Sequence, residues 1–210
     1  MQQQRHSNFK EMGNREQDII NVAMDLFSKK GFAATSMREI AKASGVSHSL
    51  INYYFRSKDK LLKEFIEKRS KAIMESIKLV VQKQISECEK IDLLVNLYVK
   101  QAFSNRELSL IFFQEQLTVS YPELGKLMSK LDKTNCAYFT LILENGQEKN
   151  FFYPDINPRL IYYSIMGTIQ QSVSAFTHNA SQTEILSEDD LINYLKAMYK
   201  KMILKPVRKD

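Results

Sequence analysis

Residues 35–62 read TSMREIAKASGVSHSLINYYFRSKDKLL, and three helix starts lie within them. Ser36 followed three residues later by Glu39 is a capping box, in which hydroxyl and carboxylate satisfy each other's free backbone N–H groups. The helix it opens turns Met37, Ile40 and Ala41 inward and stops near Gly45, a residue that accepts the backbone of a tight turn. Val46 and Ser47 lead into a short segment, HSLINYYF over 48–55, with Ser47 as its N-cap. Ser57 begins a further helix, with Asp59 in the first turn where the helix dipole favours an acid. Two short helices joined through a small-residue turn form a helix-turn-helix, whose second helix packs one face and presents the other. Val46, Ile51 and Phe55 are the inward set, the last two one turn apart. Ser47, His48, Ser49, Leu50, Asn52, Tyr53 and Tyr54 are left to the outer faces.

Helical periodicity continues on both sides of this stretch. From Arg15 to Lys30, residues Ile19, Ile20, Ala23, Leu26 and Phe27 recur at three- and four-residue intervals and make one apolar stripe. Gly31 after two lysines is a helix stop. Downstream, the pattern predicts helices over 58–87, Ile91–Ser104, Leu108–Val119, Glu123–Glu148, Pro158–Thr177 and Glu188–Leu204. Asn157-Pro158 is a cap followed by proline at the first helical position. Ser187 precedes three acids in a first turn. The reading is all-α, about nine helices in total. A flexible polar arm spans 1–14, a three-helix helix-turn-helix domain spans 15–60, and a larger helical ligand-binding and dimerisation domain spans 61–210.

The 210 residues include only six Gly and four Pro, too few for a turn-rich β protein. Net charge is +6, but residues 1–60 hold 10 basic and 6 acidic side chains, while the longer remainder holds 20 and 18. The positive excess therefore sits near the N-terminus, where a polyanion would bind. Cys88 and Cys136 have no His or second Cys at metal spacing, and buried free thiols are the reading. The opening MQQQRHSNFKEMGNR has no apolar core of a signal peptide, so the expected location is cytoplasmic. The uncharged run Leu160–Thr183 contains Gln170, Gln171 and several Ser and Thr. It reads as a helix buried in protein, with no membrane partner.

On the outer faces of the 48–55 segment, Ser, His and Asn can bond base edges and phosphates. Tyr reaches phosphates through its hydroxyl, and Leu can touch a thymine methyl. From Arg15 to Leu62 the sequence resembles the DNA-binding domain of tetracycline-repressor (TetR) type regulators. The matching stretches are IINVAMDLFSKKGF, ATSMREIAKASGVS and HSLINYYFRSKDKLL. The resemblance implies that the third helix enters the major groove of double-stranded DNA. The contact positions it implies are Ser47, His48, Ser49, Leu50, Asn52, Tyr53 and Tyr54. It also implies a phosphate contact at Lys58 and backbone contacts at Thr35 and Ser36. Leu50 stands where the family usually has threonine and Asn52 where it usually has tyrosine, which changes what the helix can read.

A lone helix-turn-helix has little specificity, and pairing two across a palindromic operator doubles the contacts. A homodimer is therefore expected, built from Pro158–Thr177 and the stripe Leu191, Ile192, Leu195, Met198, Tyr199, Met202 and Ile203. The resemblance implies the same. The middle helices are rich in aromatic and methionine residues. Candidate ligand-binding residues are Phe103, Phe112, Phe113, Gln116, Met128, Asn135, Tyr138, Tyr163, Met166 and Gln170. They suit a lipophilic or aromatic small-molecule effector. No catalytic residue, metal ligand or cofactor is expected, since His6, His48 and His178 are scattered and no glycine loop or nucleophile elbow occurs. The reading is a ligand-responsive repressor; the alternative is a ligand-independent architectural or adaptor protein using the same DNA domain.

Overall fold

The computed structural model describes the backbone of residues 2–104, 106, 109–111, 122–178 and 187–206, with side chains described from Arg15. Eight helices are bounded among these residues. They are α1 (Gln2–Lys30), α2 (Met37–Ala43), α3 (His48–Phe55), α4 (Lys58–Gln82), α5 (Glu87–Ser104), α6 (Pro122–Glu148), α7 (Pro158–His178) and α8 (Glu188–Ile203). Arg106 and residues 109–111 are helical as well; the rest of the helix expected over Leu108–Val119 lies outside the described residues. No strand occurs among the described residues, where Phe152 and Leu204 form an isolated antiparallel bridge. None of the described helices is long and apolar enough to cross a membrane.

Two boundaries differ from the sequence reading. α1 starts at Gln2, so the stretch read as an arm is helical; it is rich in Gln, Arg, Lys, Glu and Met, residues that cost little in a helix. The fourth helix ends at Gln82 rather than near residue 87, and α5 starts at Glu87 rather than Ile91. A second capping box sets that start. The Glu89 N–H donates to Ser86 Oγ at 3.2 Å, and the Ser86 N–H donates to the Glu89 carboxylate at 3.0 Å.

The helices close around two apolar cores. The first joins Ile19, Ile20, Ala23 and Phe27 of α1, Ile40 and Ala41 of α2, Ile51 and Phe55 of α3, and Leu61, Leu62 and Ile66 of α4. Leu124 and Met128, from the first two turns of α6, complete it at 3% and 2% exposure. The second core is centred on α5, which packs against α4, α6, α7 and α8. α4 runs through both: Leu61 and Ile66 serve the first core, Ile77 and Val80 the second.

Polar ties fix the second core. Tyr199 donates to the Asp92 carboxylate at 2.5 Å, and Lys200 meets its other oxygen at 2.7 Å, joining α8 to α5. Tyr162 donates to Asp132 at 2.9 Å, joining α7 to α6. Buried Glu87 pairs with Lys149 at 2.8 Å. Cys88 and Cys136 are free thiols.

The α8 stripe expected at a subunit interface faces inward instead. Leu191, Ile192, Leu195, Tyr199 and Ile203 are all within the core of their own chain, and Met198 packs against it. Of that set only Met202 is exposed. The amphipathic period is real, but α5 and α7 cover it. What faces solvent is the opposite side of α8, with Tyr194 and Ala197, and the side of α7 that carries Leu160, Tyr163 and Gly167.

Candidate nucleic-acid interface

The presented helix is built by local chemistry. The Ser36 capping box is complete: the Glu39 N–H donates to Ser36 Oγ at 3.2 Å, and the Ser36 N–H donates to Glu39 at 2.9 Å. Lys30 and the Ser36 N–H and hydroxyl hold the Glu39 carboxyl well below the usual range, to about 2. α2 ends at Ser44, and Gly45 takes φ +65°, a conformation that would strain a residue with a Cβ. The Val46 N–H bonds back to Ala41 at 3.0 Å. Ser47 then caps α3, its hydroxyl accepting from the Leu50 N–H at 3.1 Å.

α3 is pinned by Ile51 and Phe55, both essentially unexposed. Ser47, His48, Ser49 and Tyr53 face solvent, Tyr53 with 72% exposure, while Leu50, Asn52 and Tyr54 are half-buried. Tyr54 packs against the first core and stands edge-on to Tyr53, ring centroids 5.6 Å apart. The Asn52 amide lies 3.2 Å from His48 Nδ1. The structure therefore brings seven of the ten expected DNA residues, Ser47 to Tyr54, onto one short helix and its cap. Ser36 lies at the start of α2, exposed and engaged in its capping box.

Thr35 and Lys58, the other two expected contacts, have their side chains engaged within the chain. Thr35 is 2% exposed and its hydroxyl donates to the Gly31 carbonyl at 2.9 Å. Lys58 turns its ammonium onto three carbonyls, of Phe32 at 2.5 Å, Thr35 at 2.9 Å and Ala33 at 3.3 Å, and lies 4.4 Å from the centre of the Phe32 ring. An ammonium has three donors, and all three are spent here. Burial lowers its pKa from the ordinary lysine value. Lys58 and Thr35 thus lock the turn between α1 and α2 rather than extend toward a ligand.

The sequence reading passed over other cations near α3. Arg38 and Lys42 stand four residues apart on α2, and Lys60 lies at the start of α4. All are exposed, and none pairs with an acid among the described residues.

A cleft of about 990 Å³ opens between α6 and α7. Of the expected ligand residues, Met128, Tyr163, Met166 and Gln170 line it, with Asp132 and a row of lysines at 126, 130 and 133. An adjoining cleft of about 870 Å³ shares Lys133, Thr134 and Tyr163 and adds Tyr138 and Arg159. Two candidates are elsewhere. Phe103 is a core residue packed edge-to-face on Phe176 at 5.0 Å. Asn135 lines neither cleft; its buried Oδ1, like the Tyr98 hydroxyl, has no partner among the described residues. Phe112, Phe113 and Gln116 lie outside the described residues.

Two family models match the chain. One, described as bacterial regulatory proteins of the tetR family, matches residues 19–65, and one, described as the C-terminal region of YsiA-like proteins, matches residues 65–198. The probable HTH-type transcriptional regulator YttP of Bacillus subtilis (strain 168) is 31% identical over 135 residues, which are 62% of this chain and 64% of YttP. The alignment thus spans a little under two thirds of that relative. The structure of the ketosteroid transcriptional regulator KstR2 of Mycobacterium tuberculosis superposes with a TM-score of 0.75 at 19% identity, covering 91% of this chain and 96% of that one. FadR from Bacillus subtilis in complex with stearoyl-CoA gives a TM-score of 0.69 at 21% identity, covering 86% and 97%. At these identities the two structures share the fold.

Proposed function

The chain belongs to the tetR family of bacterial regulatory proteins, which are DNA-binding transcription regulators rather than enzymes, and from that premise we propose that it is a dimeric repressor released from a palindromic operator by a small, largely apolar ligand. In this reading α3 enters the major groove with Ser47, His48, Ser49, Leu50, Asn52, Tyr53 and Tyr54 toward the bases and backbone. Ser36 flanks the phosphates, and the exposed cations Arg38, Lys42 and Lys60 supply the electrostatic attraction. Two copies pair through the outward faces of α7 and α8, which expose Leu160 and Tyr194.

One observation carries the effector half of the proposal. Met128 belongs to the core of the helix-turn-helix domain and also lines the cleft between α6 and α7. A molecule entering that cleft therefore presses on a side chain of the core that α4, packed against α6, also fills. The apolar wall of Met128, Tyr163 and Met166, edged by Lys126, Lys130 and Lys133, suits an apolar molecule with an anionic end. Stearoyl-CoA, bound by the FadR neighbour, has that chemistry.

The test is footprinting on the DNA upstream of the protein's own gene, repeated with an extract of cellular small molecules and with stearoyl-CoA. Protection of a symmetric site that one of these additions weakens supports the proposal. Protection that no addition weakens favours the ligand-independent adaptor, and unsymmetric protection removes the palindromic dimer.

A further inference from the structure

Three buried side-chain polar atoms have no hydrogen-bond partner among the described residues. Two of them, the Tyr98 hydroxyl and Asn135 Oδ1, belong to α5 and α6, which pack together. Folded chains rarely leave such atoms unpaired, because burial strips them of water. Tyr98 is 6% exposed. On α6, Asp132, Asn135, Cys136 and Phe139 follow the three- and four-residue spacing of one helical face. The rings of Tyr98 and Phe139 both lie against Tyr162, with centres 6.3 and 5.7 Å away, and Tyr162 donates to Asp132. Asp132 lines the larger cleft between α6 and α7, and Cys136 lines the adjoining one. Burial, and then the nearby Cys136 and Asp132, push the Tyr98 pKa up. Its hydroxyl therefore stays protonated, just behind residues that wall the clefts.

We propose that the effector bears an uncharged oxygen, a hydroxyl or a carbonyl, on its apolar body, and that Tyr98 and Asn135 receive it. The inference rests on the proposed reading of the clefts as the effector site. A phenol hydroxyl both donates and accepts, and an amide offers an acceptor or a donor according to which end is turned inward. Together they meet a hydroxyl or a carbonyl with no charge on either side. A carboxylate at this depth would face Asp132, while the lysines that would balance it, at 126, 130 and 133, are exposed at the rim. A cationic group would be repelled by the same lysines. Tyr162, edge-on to Tyr98 and bonded to Asp132, links the cleft wall to the pair. An apolar molecule without the oxygen leaves both buried atoms unpaired and binds less tightly for that reason. Met128 and Met166 thus accept an apolar body, and Tyr98 and Asn135 determine which apolar bodies are preferred.

The experiment is calorimetric titration of the full-length protein with two matched pairs of probes. Stearoyl-CoA is set against its S-octadecyl thioether, which lacks the carbonyl oxygen, and ricinoleate against oleate, which lacks the hydroxyl. The native chain is expected to bind the oxygen-bearing member of at least one pair about tenfold more tightly. Tyr98→Phe and Asn135→Leu are each expected to shrink that difference by weakening the oxygen-bearing member and leaving the other unchanged. Circular dichroism on heating checks the fold, and Tyr98→Phe alone decides the matter if Asn135→Leu does not fold. Because the Tyr98 hydroxyl has no partner to lose, Tyr98→Phe is expected to hold or raise Tm. A fall of several degrees would show that the hydroxyl is satisfied within the protein and would overturn the premise. If both pairs bind the native chain without discrimination, or if the discrimination survives the variants, Tyr98 and Asn135 do not receive the oxygen. The inference then fails while the clefts remain the effector site. If none of the four probes binds, the reading of the clefts as a site for apolar molecules with an anionic end fails, and the inference falls with it.

Discussion

Replacing Lys58 with methionine keeps the aliphatic stem and deletes the charge that three carbonyls share. Phe32 O and Thr35 O are partly buried and lose a cationic donor; Ala33 O is exposed and regains water. A hydrogen bond to a charged group contributes about 1.5–3 kcal/mol, and the solvent beside this turn places each of the two at the low end. The ammonium over the Phe32 ring adds about 0.5–1 kcal/mol. The expected loss is about 3.5–4 kcal/mol, which moves the urea midpoint down by roughly 1.2 M at an m-value of about 3 kcal/mol/M. Urea titration followed by circular dichroism measures it. In parallel, affinity for a random-sequence duplex is measured as a function of salt. Because Lys58 is turned inward, the slope of log affinity against log salt is expected to stay as it is. A phosphate contact would behave oppositely, flattening the slope by about 0.9 for each lysine removed. An unmoved urea midpoint with a flattened slope would overturn the assignment of Lys58 as a lock.

Gly146→Ala would set a Cβ 2.1 Å from the buried Phe152 ring. The overpacking, about 1–3 kcal/mol, is expected to outweigh the better helix propensity and lower Tm by a few degrees; a rise in Tm would contradict the packing. Met128→Ala is expected to destabilise the chain by about 2–4 kcal/mol and, under the proposed coupling, to leave effector binding measurable by calorimetry while shrinking the effector's effect on DNA affinity. Undiminished release would remove Met128 from the route. The Glu39 carboxyl sits at about 2 in the folded chain, below its ordinary 4.5, held there by Lys30 and by the Ser36 N–H and hydroxyl. Its contribution is thus fully present above pH 4.5 and is lost as pH falls through about 2. NMR titration of its side-chain carboxyl checks this, and a midpoint at 4 or above would show that the capping box and the Lys30 contact do not hold it.

What was legible in the sequence was local. Ser36 with Glu39, Ser47, Gly45, and Ser187 with Asp190 announce helix ends through contacts three residues away, and all are found where the pattern put them. Ser86 with Glu89 was equally legible, but apolar periodicity on either side hid the break between α4 and α5. The partners of Lys58 were not legible, because they come from a turn more than 20 residues earlier. Nor was the destination of the α8 stripe. An apolar stripe states that a face is covered, and both a twin subunit and α5 would satisfy it. The role of Leu124 and Met128 was hidden for the same reason: their period places them inward on α6, and only the tertiary fold shows that inward there means the other core.

That shared core bears on how strongly an effector could act. The helix-turn-helix is held in place on one side by the Lys58 lock and by Ile51 and Phe55, which are local to it, and on the other by Leu124 and Met128, which belong to α6. The Tyr162–Asp132 hydrogen bond fixes α6 to α7 one turn beyond Met128. A molecule in the cleft can therefore shift the first turns of α6 only by working against that tie on one end and against apolar packing on the other. Release by a hundredfold needs a coupling free energy of about 2.7 kcal/mol. That is comparable with the burial of a single methionine side chain, about 1.5–3 kcal/mol. Displacing Met128 alone is then enough to account for release, with no rearrangement of α3 itself. By linkage the same free energy must appear as a hundredfold weaker grip on the effector when operator DNA is bound. A calorimetric titration of effector into the DNA complex that showed undiminished affinity would be incompatible with this route.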